Sequence, residues 1–297
     1  MTIKSVGVIG LGRMAMPIAI LLLKGGTRVP GYRRSSMADF EAAGGLAKAS
    51  AAEVAADCDV VLSCLPSPEA LDEVVTGPRG LVHSVRPGQI VLELGTYSFD
   101  VKERQRVALA GKGAIFIDGE ISGTPGMVAE RKSAVYIAGD AKACEAAAEV
   151  VKGFSDSCTY FGKFGSAIQV KLIANLLVTL NIAASAEAMA LAVKTGIDPT
   201  LLINAVGAGA GSSRQFVIRA PWMAERKFLP APGPVTTLAH YFEPIRTMAA
   251  QLGVATPMLD RAVGLYETAI AQGKGDLDVA CLVDVVGGLP GSAKSDD

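Results

Sequence analysis

Ile3-Lys4-Ser5-Val6-Gly7-Val8-Ile9, followed at once by Gly10-Leu11-Gly12-Arg13-Met14-Ala15, is the stretch whose reading decides the fold. The short apolar run reads as a buried strand. A glycine-rich turn ends it, and residues 18–23 then give a helical run closed by Gly25-Gly26. Strand, turn and helix are the context in which a GxGxxG/A pattern carries meaning. Gly10 permits the tight turn, Gly12 lets a pyrophosphate approach the backbone, and the small Ala15 lets the helix pack on the strand. The N–H groups of the loop, from Leu11 through Arg13 and Met14, and the helix dipole favour an anion there. A glycine turn in any βα unit is the competing reading. Its place at the head of the chain and the pattern that follows favour a dinucleotide.

Further along, residues 27–32 form a second strand pattern ending in Tyr32-Arg33-Arg34-Ser35-Ser36. An NAD site usually places Asp or Glu near this strand end to take the ribose 2′-hydroxyl. Here no carboxylate occurs before Asp39. Arg33, Arg34 and Ser35 suit a 2′-phosphate through charge-assisted, fork-like hydrogen bonds, so NADP is expected and NAD is less favoured. The alternative is a solvated basic loop. More strands are predicted at 58–65, 89–94, 114–117, 134–137 and 157–160, with Ala-rich helical stretches between. Alternating short strands and helices imply an α/β fold with a mostly parallel, doubly wound sheet of Rossmann type. Ligands lie beyond the carboxyl ends of such strands, which is where Leu65-Pro66, Thr96 and the segment Asp118 to Thr124 fall. Ser122-Gly123-Thr124 offers hydroxyl and backbone N–H groups, a carboxylate cradle or an ordinary turn.

The strand signal stops at Gly162-Lys163-Phe164-Gly165-Ser166, where a long apolar run without proline begins, and this predicts a buried helix. It continues to Gly196. Lys171, Asn175 and Glu187 interrupt it, so a membrane span is not expected. Lys171 and Asn175 stand four apart, on one helix face. A buried lysine needs a partner or a purpose; the alternative is a lysine whose stem lies along apolar neighbours at the helix start. Asp198-Pro199 restarts a helix in N-cap and N1 style. Glycine- and proline-rich loops are expected at 207–213 and 231–234, and helices over 235–252, 257–272 and 278–287. The domains expected are 1–162, a nucleotide-binding sheet, and 163–290, an all-helical substrate and oligomerisation domain joined to it by the long helix. Residues 291–297 are expected to be a disordered tail.

Composition excludes other classes. The formal net charge is −1 with no basic block, which disfavours nucleic acid and anionic membrane as partners. The five cysteines form no CxxC pair and only two histidines exist, so neither a disulfide frame nor a metal site is expected. Free thiols and the lack of a leader pattern point to the cytoplasm.

Taken together, the motifs resemble the β-hydroxyacid dehydrogenase family, the 3-hydroxyisobutyrate dehydrogenase group, across essentially the whole chain. Gly10-Leu11-Gly12-Arg13-Met14 looks like its cofactor motif, Ser122-Gly123-Thr124 like its substrate segment, and Gly162 through Lys171 and Asn175 like its catalytic motif. The resemblance implies hydride transfer between nicotinamide and a small hydroxy acid, with Lys171 as general acid and base, Asn175 on the substrate oxygen, and a homo-oligomer. His240-Tyr241-Phe242 stands where the family usually has Lys-Asp-Leu, so His240 and Tyr241 are expected to shape a different substrate preference. An imine reductase on a similar fold and a non-catalytic NADP-binding regulator are the alternatives.

Overall fold

A computed structural model describes residues 3–287; the expected tail at 291–297 lies outside them. The chain divides between Lys171 and Leu172 into two compact units. The first carries an eight-stranded sheet: β1 Val6–Ile9, β2 Pro30–Tyr32, β3 Leu46–Ala47, β4 Val60–Ser63, β5 Ile90–Glu93, β6 Ile115–Ser122, β7 Ala134–Ala138 and β8 Ser157–Tyr160. Their order is β3-β2-β1-β4-β5-β6-β7-β8. The chain therefore winds outward from β1 in one direction, then returns to β1's other side and winds the opposite way. The break between β1 and β4 is the switch point at which such sheets take ligands. All pairings are parallel except β6 with β7.

Both faces of the sheet are covered, and the strand residues divide by period two. Val6, Val8, Leu62 and Leu92 pack on one side with Ile18, Leu22 and Val150. Ile9, Val61 and Val91 pack on the other with Val54, Leu71 and Leu109. The short β3 was not anticipated, since two residues carry no period. The strand β6 runs on to Ser122, further than the expected 114–117, so Asp118 and Glu120 are strand residues and only Gly123-Thr124 lies beyond. Tyr136 and its neighbours on β7 hold the added length by antiparallel pairing, Glu120 opposite Tyr136.

Polar groups are buried inside this unit. Lys102, on the helix Phe99–Ala110, is fully buried. Its Nζ donates to Asp118 Oδ1 at 2.8 Å, the Gly119 carbonyl at 3.0 Å and Glu120 Oε1 at 2.7 Å. Burial alone would lower its pKa, but Glu120, Asp118 and Glu93 carry it upward. Glu93, the last residue of β5, accepts from the Gly95 N–H at 2.6 Å, and burial pushes its carboxyl up to about 7 against the pull of Lys102.

In the second unit the helices are the remainder of Ser166–Thr195, then Pro199–Ala208, Arg214–Glu225, Val235–Ala239, Phe242–Gln251, Pro257–Ala271 and Leu282–Gly287. By length and composition alone Ser166–Thr195 could cross a bilayer, at a mean hydropathy of 1.8. The buried polar residues Lys171, Asn175, Thr179 and Ser185 lie along it. Asp198 caps the next helix, accepting from the Leu201 N–H at 2.9 Å. Gly207 falls inside that helix instead of in the expected loop. The span expected as one helix over 235–252 is two, broken at His240-Tyr241. Ser213 caps a helix, Arg214–Glu225, that went unassigned, accepting from the Phe216 N–H at 3.0 Å. Tyr266 is buried edge-on against Phe242, ring centroids 5.1 Å apart, and its hydroxyl donates to the Thr179 carbonyl at 3.0 Å. Asp278 accepts from Arg219 Nη1 at 2.8 Å, the Gly233 N–H at 3.1 Å and the Ala280 N–H at 3.0 Å.

Two stability predictions follow from these buried charges. Asp278→Ala leaves the buried Arg219 guanidinium without its partner and should lower the unfolding free energy by about 3–5 kcal/mol, read by denaturant titration; a loss below about 1 kcal/mol would reduce the pair to a surface-type contact. For Glu93 the folded state holds its proton more tightly than the unfolded chain. The stability this lends is fully present below the ordinary carboxyl range and is lost as pH rises through about 7. Between about pH 5 and about pH 8 the Tm of Glu93→Gln should therefore fall less than that of the unmodified protein; parallel curves would remove Glu93 as the source.

Candidate active site

The glycine turn sits where β1 meets the helix Ala15–Lys24. Gly10 has φ +85, and a Cβ there would lie 2.3 Å from the Cys64 carbonyl oxygen. Only glycine satisfies both the left-handed backbone and the close approach to β4's end. A Cβ on Gly12 would meet nothing nearer than the Gly10 oxygen at 3.9 Å, so this backbone faces open space. Met14 occupies the N-cap position and no side chain caps the helix, nor does its first turn carry an acid. Within that turn the Met16 N–H already donates to the Gly12 carbonyl at 2.9 Å and Pro17 carries no N–H, so an anion would meet the helix dipole and the N–H groups ahead of Met16.

Around this turn lies a cleft of about 800 Å³. Residues 10–14, Arg33, Arg34, Ser35, Leu65 and Pro66 all line it, as do Tyr32, Cys64 and Arg79. The fold thus brings together the first, second and fourth strand ends. An uncapped helix terminus, glycine backbone and a basic rim fit the pyrophosphate and ribose of a dinucleotide. Arg33 is held at the rim. Its Nη1 donates to the Leu11 carbonyl at 2.9 Å and its Nε to the Ser36 carbonyl at 2.6 Å. Its other nitrogen pairs with Asp39, a carboxylate six positions away that sequence reading left outside the site. Arg34 is exposed and faces Glu73 at 3.6 Å.

Thr96 lies past the end of β5, beside β4's end. The Leu94 N–H donates to the Ser63 carbonyl at 2.7 Å, and the Tyr97 hydroxyl to the Leu65 carbonyl at 2.7 Å. Thr96 Oγ1 donates to Glu120 Oε2 at 2.6 Å. Ser122 closes β6. Thr124 caps the helix Pro125–Ala129, its hydroxyl accepting from the Met127 N–H at 3.3 Å, which leaves its O–H proton and one lone pair.

Lys171 is buried, and its Nζ donates to the Ile121 carbonyl at 2.5 Å, one residue before Ser122. Burial lowers its pKa below the ordinary lysine value; the charge of Glu120 opposes this and that of Lys102 adds to it. Asp118 Oδ2 accepts the Ile168 N–H at 3.2 Å in the first turn of the same helix. Sequence reading placed the segment Asp118 to Thr124 at a strand end but missed Lys102, which gathers Asp118 and Glu120 into one cluster. On its helix the inward positions are Lys102, Gln105 and Leu109, a mostly polar face that no apolar period could reveal.

The other expected residues belong to the second unit. Asn175, one turn beyond Lys171 along their shared helix, is buried, and its Nδ2 has no hydrogen-bond partner among the described residues. His240 is exposed at the C-cap of the helix Val235–Ala239, and Tyr241 precedes Phe242–Gln251. The five cysteines are free thiols. Among the described residues no group of three or more His, Cys, Asp or Glu could hold a metal ion.

Comparison with known proteins agrees with this geometry. Residues 5–162 match the NAD-binding domain of 6-phosphogluconate dehydrogenase, and residues 165–286 match the NAD-binding domain of NADP-dependent 3-hydroxyisobutyrate dehydrogenase. The L-threonate dehydrogenase of Cupriavidus necator is 29% identical over 296 residues, 98% of this chain and 99% of that protein. The 2-(hydroxymethyl)glutarate dehydrogenase of Eubacterium barkeri is 29% identical, with 94% of each chain covered. A crystal structure of 3-hydroxyisobutyrate dehydrogenase from Salmonella typhimurium, 25% identical, superposes with a TM-score of 0.83 over 95% of this chain and 99% of that one. With a nucleotide-binding sheet, a helical second unit and both family patterns in sequence order, the chain belongs to the β-hydroxyacid dehydrogenases, nicotinamide-dependent oxidoreductases acting on CH–OH groups.

Proposed function

We propose that the chain interconverts a small hydroxy acid and its carbonyl form with NADP as the redox partner, and that Lys171 exchanges the hydroxyl proton. The observation that carries this is the buried Lys171 amine, held 2.5 Å from the Ile121 carbonyl at the threshold of Ser122. A desolvated lysine gives up its proton more readily than an exposed one, which is what a base near neutral pH requires. Bound nicotinamide supplies the hydride acceptor. As the carbinol C–H leaves as hydride, the O–H proton passes to neutral Nζ, giving a carbonyl and an ammonium. In the reverse direction the ammonium returns it. The buried Asn175 Nδ2 suits the substrate oxygen. Ser122, with the N–H groups of Gly123 and Thr124, suits a carboxylate.

Retention of Lys171 disfavours the imine reductase reading, as do the hydroxy acids named for the relatives. A binding protein without chemistry would have no use for the buried Lys171 amine. For the cofactor, support comes from the basic rim: Arg33 locked onto the Leu11 carbonyl, with Arg34 and Ser35 beside it. The Asp39 partner of Arg33 favours the opposite choice, because it offsets one of the two positive charges.

Two measurements test these assignments. Lys171→Met should cut kcat by about 10²–10⁴ while dinucleotide affinity stays within about threefold; retention of more than half of kcat, with chemistry limiting, would refute the role. NADPH should bind at least about tenfold more tightly than NADH, and replacing both Arg33 and Arg34 by Ala should erase most of the difference. Equal affinity in the unmodified protein would sink the NADP assignment.

A further inference from the structure

A threonine hydroxyl carries one proton and two lone pairs. In Thr96 that proton is spoken for: Oγ1 donates to Glu120 Oε2 at 2.6 Å, a charge-assisted bond. Glu120 is itself fully buried and cannot turn away, because its other oxygen takes a proton of Lys102 at 2.7 Å. Lys102 is equally immobile, with three ammonium protons on three acceptors: Asp118, the Gly119 carbonyl and Glu120. Burial raises the Glu120 carboxyl above its ordinary value, opposed by Lys102, Lys171 and two hydrogen bonds, and each of its oxygens is already accepting, one from Lys102 and one from Thr96. The polarity of the chain is thus set from its buried end: a cation that only donates, a carboxylate that only accepts, and a hydroxyl left able only to accept from any further partner.

Thr96 is only partly buried and stands at the carboxyl edge of the sheet, next to the strand end whose Cys64, Leu65 and Pro66 line the dinucleotide cleft. We infer that Lys102 and Glu120 are positioning residues that make Thr96 an obligate hydrogen-bond acceptor, so that the nicotinamide end of the site selects a ring substituent bearing N–H, a carboxamide. The inference rests on the reading of Thr96 as a cofactor contact. It adds the direction of the hydrogen bond and the buried residues that impose it.

Glutamine at position 120 makes this testable without removing the side chain. Lys102 has no acceptor, so the amide must offer it the oxygen and turn its NH₂ toward Thr96. The threonine oxygen then accepts, and its proton is released toward the cleft. The experiment compares, by calorimetry, the oxidised dinucleotide with its 3-acetylpyridine analogue, which keeps the ring carbonyl but lacks N–H. The phosphorylated or unphosphorylated pair is used, whichever binds more tightly.

The unmodified protein should bind the carboxamide form at least about fivefold more tightly, the equivalent of one net hydrogen bond. Thr96→Val should bring the ratio below about twofold, Thr96→Ser should keep it, and Glu120→Gln should collapse or invert it. Equal binding of the two forms by the unmodified protein, or an undiminished ratio in Thr96→Val, overturns the inference; so does an undiminished ratio in a folded Glu120→Gln. Should Glu120→Gln not fold, the direction of the ratio and its loss in Thr96→Val still decide the polarity. Failure of the NADP assignment would appear separately, in the ratio of phosphorylated to unphosphorylated cofactor, with the ring preference intact.

Discussion

One buried ammonium organises the first unit. Removing a cation from water costs several kcal/mol unless its protons are matched by acceptors and its charge by anions, and Lys102 has both, on Asp118, Gly119 and Glu120. The acceptors lie on consecutive residues of β6, so the ion locks the helix Phe99–Ala110 to that strand. Each carboxylate then spends its second oxygen elsewhere. Asp118 takes the Ile168 N–H in the first turn of the helix that carries Lys171, where an anion also meets the positive end of the dipole. Glu120 takes the hydroxyl of Thr96. The start of the long helix, the end of β6 and the loop after β5 are thereby held in one register.

The same cluster sets the electrostatics. Three carboxyls, Glu93, Asp118 and Glu120, share a desolvated region with two lysines. Such a set divides its protons according to burial and contact. Burial raises both Glu93 and Glu120, and Glu93, with one backbone donor at 2.6 Å, is pushed up to about 7. Lys102, surrounded by oxygens, keeps its charge, while Lys171, bonded to a neutral carbonyl, is drawn below its ordinary value. Two lysines of one unit are thus tuned in opposite directions by what surrounds each.

At the nucleotide end the governing constraint is steric. Gly10 is compelled by its φ and by the Cys64 carbonyl, and Gly12 leaves the space that a ligand would use. Arg33 reaches across from β2 to the Leu11 carbonyl, so the basic rim and the glycine turn form one surface. Its pairing with Asp39 means that the charge at this rim depends on both side chains.

The strands, the glycine turn and the long helix were legible because each is written in neighbouring residues: alternation on a covered sheet, glycine where φ must be positive, and an unbroken apolar run to Gly196. Lys171 and Asn175 were legible for the same reason, since their spacing on a helix is local. The reversal of β7, the length of β6 and the helix break at His240-Tyr241 were not, because pairing and packing partners decide them and those lie far along the chain. The pairs Lys102 with Glu120, Asp118 with Ile168 and Arg33 with Asp39 belong to this second class. A charge's meaning depends on what it touches after folding, and a polar inward face such as Lys102 and Gln105 carries no hydrophobic period. Sequence by itself therefore determined the sheet, the glycine turn and the long apolar helix, while tertiary structure alone decided which charges are buried together, because their partners lie far apart along the chain.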